Sequence, residues 1–168
     1  MVGGRTNHWG RISLRFGPND FKRASIDGMG DDWPIGYDDL KPYYDKVDKL
    51  IGVFGSKEGI YNEPDGFFLP PPKPRLHELF IKKGADKAAI PMIPSRLSML
   101  TRPINKERGV CFFCAQCNRA CQVYADFSAG TCLVHPAMKK GKVDLYTHSM
   151  VRKVTTDDAG KATGVSFV

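Results

Sequence analysis

Four cysteines stand within one short segment, Cys111-x2-Cys114-x2-Cys117-x3-Cys121, and that run constrains the chain more than any other feature of its 168 residues. Thiolates repeated every two or three residues can converge on one small body from a single tight loop. The segment therefore reads as a ligand-bearing loop, neither helix nor strand. The fifth cysteine, Cys132, stands apart. A disulfide scaffold would spread its cysteines through a small secreted chain, whereas this crowding points to metal ligation.

The spacing matches the ligand run of bacterial ferredoxins, with Gln122 where a proline is usual. In two-cluster ferredoxins the fourth cysteine of such a run serves the other cluster. Cys111, Cys114, Cys117 and Cys121 are thus candidate metal ligands without all four being required. A structural zinc site is the rival reading, although zinc usually takes two cysteine pairs well separated in sequence. Unligated thiols are the third.

A second constellation opens the chain: Gly3-Gly4-Arg5-Thr6-Asn7-His8-Trp9. Adjacent glycines let a backbone approach a flat ligand without side-chain clash. Thr6 and Asn7 supply hydroxyl and amide groups able to bond polar ring edges. On these residues alone the segment is a close-approach loop, and an ordinary turn is the competing reading.

The formal net charge is +7, but the basic residues are scattered, and the nearest approach to a cluster is Lys139, Lys140 and Lys142. No basic stripe interleaved with aromatics is present, which argues against nucleic acid. No apolar run reaches the roughly 18 residues that a membrane span needs. A hydrophobic content of 42% and a charged content of 26% are those of a globular domain able to bury a core. Compartment is not legible.

Coarse elements follow from pattern. Arg11 to Phe16 alternates polar and apolar residues as a short strand does, and Gly17 to Gly36 reads as surface loop. Residues 37–52 predict a helix whose inward face is Leu40, Tyr43, Tyr44, Val47, Leu50 and Ile51, with Pro42 confined to the first turn. A proline-rich stretch ends at Pro74, and residues 75–90 predict a second helix with Leu76, Leu79 and Phe80 inward. Ile90 to Arg102 reads as extended chain. Residues 143–168 read as two or three strands, turning at Asp157-Asp158-Ala159-Gly160.

The glycine loop resembles the flavin-proximal loop of the glucose–methanol–choline oxidoreductases, where a Gly-Gly pair precedes polar residues and an aromatic. Trp33-Pro34-Ile35, Tyr37-Asp38-Asp39-Leu40 and Pro42-Tyr43-Tyr44 are also similar to that family. The stretch from Val143 to Val168, with Thr147, Val151 and Gly164-Val165, resembles its segment that reaches the adenine of FAD. The resemblance covers nearly all of residues 1–168 and implies a mixed α/β fold, part of a two-domain FAD-binding architecture without the N-terminal dinucleotide-binding βαβ unit. It implies that Gly3, Gly4, Thr6, Asn7, His8 and Trp9 line the flavin, that His8 is a candidate for covalent attachment, and that Val151 contacts adenine through its backbone. Some sugar dehydrogenases of the family carry a three-iron cluster on cysteines spaced by five and then three residues. Cys111, Cys117 and Cys121 reproduce that spacing and leave Cys114 over.

The activity implied is oxidation of a CH–OH group of a sugar or alcohol by hydride transfer to FAD, with an electron relay through a 3Fe-4S or 4Fe-4S cluster toward an acceptor such as a cytochrome subunit. The alternatives are an iron–sulfur electron-transfer module and a zinc-stabilised interaction domain. No catalytic base is assigned. The family's catalytic histidine is expected outside this sequence, and His135 and His148 do not match its surroundings.

Overall fold

A computed structural model describes residues 1–168, apart from the side chain of Asn118. The chain divides into two compact units, Met1–Leu133 and Val134–Val168. Helices are mixed with two small antiparallel sheets, in keeping with the expected mixed class.

In the first unit, α1 spans Arg23–Asp27 and α2 spans Tyr37–Ile51. At the start of α2 the Asp39 carboxylate accepts the Gly36 N–H at 2.8 Å, half of a capping box. Gly52 ends the helix in the left-handed region, its N–H donating to the Asp48 carbonyl at 2.9 Å. Pro42 lies beyond the first turn, contrary to expectation. The carbonyl it orphans belongs to Asp38, and both residues are exposed, so that carbonyl lies at the surface and not in the core.

The buried side of α2 also differs from the apolar stripe. Asp48 and Ile51 are buried and Tyr44 half-buried, whereas Tyr43, Val47 and Leu50 are exposed. The reason is Arg15. Its Nη2 donates to Asp48 Oδ2 at 2.5 Å and to Asp45 Oδ1 at 2.7 Å, and its Nη1 to the Tyr37 hydroxyl at 3.0 Å. Burial opposes the guanidinium charge, but the bonds to Asp48, Asp45 and Tyr37 overcome it and raise its pKa above the ordinary value. A buried cation with these partners rotates the acidic face of the helix inward.

The same inversion runs along Arg11 to Phe16. Arg11 and Arg15 are buried, while Ile12, Leu14 and Phe16 are exposed. The segment forms no strand, only the isolated bridge Ile12↔Leu97. The alternation is real, but its charged side faces in, because each buried arginine finds carboxylate acceptors there, joined by the Cys117 carbonyl for Arg11 and the Tyr37 hydroxyl for Arg15.

Strand β1, Val53–Phe54, pairs antiparallel with β2, Leu97–Ser98, inside the stretch expected to be extended. Around this pair sit Ile51, Val53, Phe54, Leu100, Ala125 and Phe127, all buried. Full burial of Val53 and Leu100 contributes about 1.5–3 kcal/mol each. Arg108 fastens the core from within, donating to the carbonyls of Ile51 (2.8 Å), Tyr124 (3.0 Å) and Ala125 (3.1 Å). Burial draws its pKa below the ordinary guanidinium value. Residues 17–36 are more ordered than expected: Pro18–Phe21 is a 3-10 turn that leads into α1 and buries Phe21 against Phe16 and Trp33.

Helix α3, Leu76–Lys87, matches its predicted span but buries no residue. Leu76, Leu79 and Phe80 are exposed, which corrects their expected inward placement, since no element of this unit lies over that face. The second unit contains α4, His135–Lys139, and a hairpin of β3, Val151–Thr156, with β4, Ala162–Phe167. The Asp157 carboxylate shapes its turn by accepting the N–H groups of Ala159 and Lys161. Among the described residues no helix is long and apolar enough to cross a membrane.

Candidate functional site

The glycine loop is built around a 3-10 turn, Gly4–Asn7, entered through two glycines with positive φ (90° at Gly3, 50° at Gly4). The two have different surroundings. A Cβ on Gly3 would lie 2.8 Å from the Gly130 nitrogen and 2.8 Å from Asn7 Oδ1, whereas one on Gly4 would meet nothing within 4 Å. Gly3 is small because the fold closes on it. Gly4 is small and faces open space.

The polar side chains of the loop are engaged internally. The Thr6 hydroxyl donates to the Gly3 carbonyl and accepts the Ala129 N–H at 2.8 Å. Asn7 Nδ2 donates to the Val2 carbonyl at 2.7 Å. Trp9 Nε1 donates to the Phe127 carbonyl at 3.0 Å, and its ring meets the Phe127 ring edge-on at 6.1 Å. His8 is exposed. Open loop surface is therefore backbone at Gly4 together with the Arg5 and His8 side chains, while Thr6, Asn7 and Trp9 hold the loop in place. Val151 lies in the second unit, on β3, where it pairs with Phe167 and is exposed.

Cys111, Cys114, Cys117 and Cys121 all line one small cavity of about 20 Å³, with Met99, Phe112, Gln116 and Asp126 among its walls. The segment between them is mostly irregular, with a 3-10 turn at Cys117–Arg119. Phe113, Ala115 and Ala120 adopt positive φ, bending the chain around the cavity. Such conformations cost non-glycine residues about 1–3 kcal/mol each and persist where surrounding structure fixes them. The Phe113 N–H donates to Cys111 Sγ at 3.3 Å. Burial raises the Cys111 thiol above its ordinary pKa, against the weaker effect of that bond. Cys111, Cys117 and Cys121 are half-buried, and Cys114 is exposed. Among the described residues no three Cys, His, Asp or Glu side chains converge to metal-binding distance. The four sulfurs thus share a cavity wall without closing on a common point.

Both segments rest on residues 126–130. Beyond the bonds of Thr6 and Trp9, Gly3 abuts Gly130. On the cysteine side, Arg11 donates to Asp126 Oδ2 through Nη2 (2.7 Å) and Nε (3.2 Å), and through Nη2 to the Cys117 carbonyl. Arg11, Arg108 and Asp126 are absent from the residues picked out by motif. The one trace they leave in the sequence is the alternation around Arg11, which gives a period but not a direction.

No protein-family model matches the chain. It is 31% identical over 173 residues to 2-methyl-1,2-propanediol dehydrogenase of Mycolicibacterium austroafricanum, covering 99% of this chain and 30% of that protein. With the fructose dehydrogenase large subunit of Gluconobacter japonicus it shares 28% over 179 residues, 99% of this chain and 31% of the relative. With the gluconate 2-dehydrogenase flavoprotein of Pantoea cypripedii it shares 26% over 200 residues, 99% and 32%. The chain is similar to sugar and alcohol dehydrogenases. It spans about a third of the length of these relatives.

Proposed function

We propose that this chain forms the flavin-proximal and electron-relay region of an FAD-dependent dehydrogenase of the glucose–methanol–choline family, acting on a sugar or alcohol. The observation that carries the reading is the shared support of the two motifs: the Gly3–Trp9 loop is bonded to Phe127 and Ala129, and the Cys111–Cys121 segment is tied to Asp126 through Arg11. The dehydrogenase names of the relatives support the same activity class.

The loop surface offers a place for FAD, and the cysteine segment supplies the thiol donors of an iron–sulfur group although its four sulfurs do not close on a common point. For FAD, Gly4 offers bare backbone beside open space and His8 an exposed imidazole. Thr6, Asn7 and Trp9 position that surface rather than touch the ring, and Val151 is assigned to the adenine end. For iron–sulfur, the donor set is four thiols around one cavity with an N–H aimed at one of them. The three half-buried cysteines, Cys111, Cys117 and Cys121, are the assigned ligands, and exposed Cys114 is the spare. FAD, when bound, would supply the acceptor for a hydride from the alcohol carbon, with a base for the hydroxyl proton, and an iron–sulfur group on these cysteines would supply one-electron transfer to an external acceptor. This chain's part is to hold the ring against the Gly4 backbone and to keep three thiolates together near Asp126. An electron-acceptor protein such as a cytochrome subunit is the partner this scheme requires.

The test is the visible spectrum and the iron and acid-labile sulfide content of the full-length protein purified anaerobically. Flavin bands with iron and sulfide support the reading. A colourless protein refutes it, and stoichiometric zinc without sulfide replaces the relay with a structural site.

A further inference from the structure

We infer that Arg5 is the charged contact of the flavin-facing surface. Its guanidinium, with the His8 imidazole beside it, meets a hydrogen-bond-accepting edge of the ring and stabilises the negative charge that the ring gains on reduction. The inference rests on the flavin surface proposed above.

The glycine loop sorts its polar side chains into two sets. Thr6, Asn7 and Trp9 are taken up by main-chain groups of the chain itself. Arg5 and His8 are exposed, and among the described residues neither side chain has a partner. The turn keeps these two together. The His8 N–H donates to the Arg5 carbonyl at 3.1 Å, and residues three apart in a 3-10 turn lie over one another. Gly4, next to Arg5, adds bare backbone, since a Cβ there would meet nothing within 4 Å. The open surface is thus peptide flanked by two donor side chains.

Nothing acidic offsets Arg5. No Asp or Glu precedes Asp20 in the sequence, and Asp20 accepts the Gly17 N–H at 2.6 Å. Asp126, the one acid of the supporting segment 126–130, is paired with Arg11. The buried arginines differ: Arg11, Arg15, Arg96 and Arg108 each donate to several acceptors within the fold. Those four hold the structure together, and Arg5 does not.

A ring that accepts a hydride gains two electrons and one proton, and so carries one added negative charge until a second proton arrives. A guanidinium stays charged and offers several N–H donors in one plane, which suits a flat anionic edge. Charge close to the ring nitrogens is one of the means by which a protein tunes a flavin.

The test uses the full-length, flavin-loaded protein as wild type, Arg5→Met and Arg5→Lys. The readouts are far-UV circular dichroism, flavin per polypeptide and the two-electron flavin potential from a dye-coupled titration. Arg5→Met is expected to keep the wild-type dichroism and to shift the reduction equilibrium about tenfold toward oxidised flavin, about 30 mV for two electrons. Arg5→Lys is expected to recover most of that shift. Release of flavin from a folded Arg5→Met, with Arg5→Lys retaining it, also supports the inference. It is overturned by an Arg5→Met potential equal to the wild type's, or by an Arg5→Lys potential displaced as far as that of Arg5→Met. Loss of native dichroism in both variants overturns it as well, because Arg5 would then be structural. So does a raised KM for carboxylate-bearing sugars at an unchanged potential, since the cation would then face substrate. Wild-type protein without flavin overturns this inference and the flavin surface together, whereas wild-type flavin with an unchanged Arg5→Met overturns this inference alone.

Discussion

Gly3 and Gly4 should respond to substitution in opposite ways. In Gly3→Ala the new Cβ is strained at φ 90° and lies 2.8 Å from the Gly130 nitrogen, a backbone atom that cannot swing aside. A left-handed conformation costs a non-glycine residue about 1–2 kcal/mol, and forced overpacking adds about 1–3 kcal/mol. The expected loss is therefore about 2–5 kcal/mol, concentrated on the contact between the loop and residues 129–130. In Gly4→Leu the backbone term of about 1–2 kcal/mol remains, but the side chain enters open space. Its fold should survive while its bulk occupies the surface assigned to the flavin. The assay is thermal unfolding together with flavin absorbance per polypeptide in the full-length protein. Gly3→Ala should lower the melting temperature the more, and Gly4→Leu should lose flavin with only the smaller drop that a backbone cost of about 1–2 kcal/mol gives. A Gly4→Leu variant with a full complement of flavin would refute the assignment of that face.

Three further outcomes follow from the same geometry. Asp48→Ala removes the closest partner of buried Arg15; a broken buried pair costs about 3–5 kcal/mol, and the low end is expected because Asp45 and Tyr37 remain, measurable as a shift of the chemical-denaturation midpoint. Asp45 is opposed by burial, but Lys41 and Arg15 hold its pKa below the usual carboxylate value, so the stability it contributes is present above that value and lost as pH falls through the acidic range; Asp45→Asn should flatten the acid limb of a stability–pH curve, and an unaltered limb would contradict this. Cys117→Ser should abolish iron binding while Cys114→Ser retains it, read as iron per flavin, and equal loss in both would show that exposed Cys114 is a ligand after all.

The helices were legible because each carries its signals locally. Gly52 stops α2, and the 3.6 period placed α2 within one residue at each end and α3 within three. What pattern could not supply was the direction of burial. Arg11 to Phe16 has the period of a strand, yet its arginines point in, because Asp45, Asp48 and Asp126 meet them from distant positions. Arg15 in turn holds the acidic side of α2 inward, burying Asp48 in place of Val47. Leu76 and Phe80 form an apolar face that no described element of the first unit covers, which no local period reveals. The cysteine loop and the glycine loop were both evident from residue type and spacing. Their common anchorage on residues 126–130 was not, since Asp126 and Phe127 act through a carboxylate and a main-chain carbonyl that no motif marks.

In the proposed function, electrons pass from a flavin at the Gly4 surface to iron at the cysteine cavity. The most direct measurement is EPR of the full-length protein, frozen after anaerobic addition of a sugar or alcohol substrate. The account predicts that flavin absorbance bleaches and the iron signal changes in the same samples, with the iron response absent from Cys117→Ser. Bleaching of the flavin beside an iron signal that never moves would contradict it.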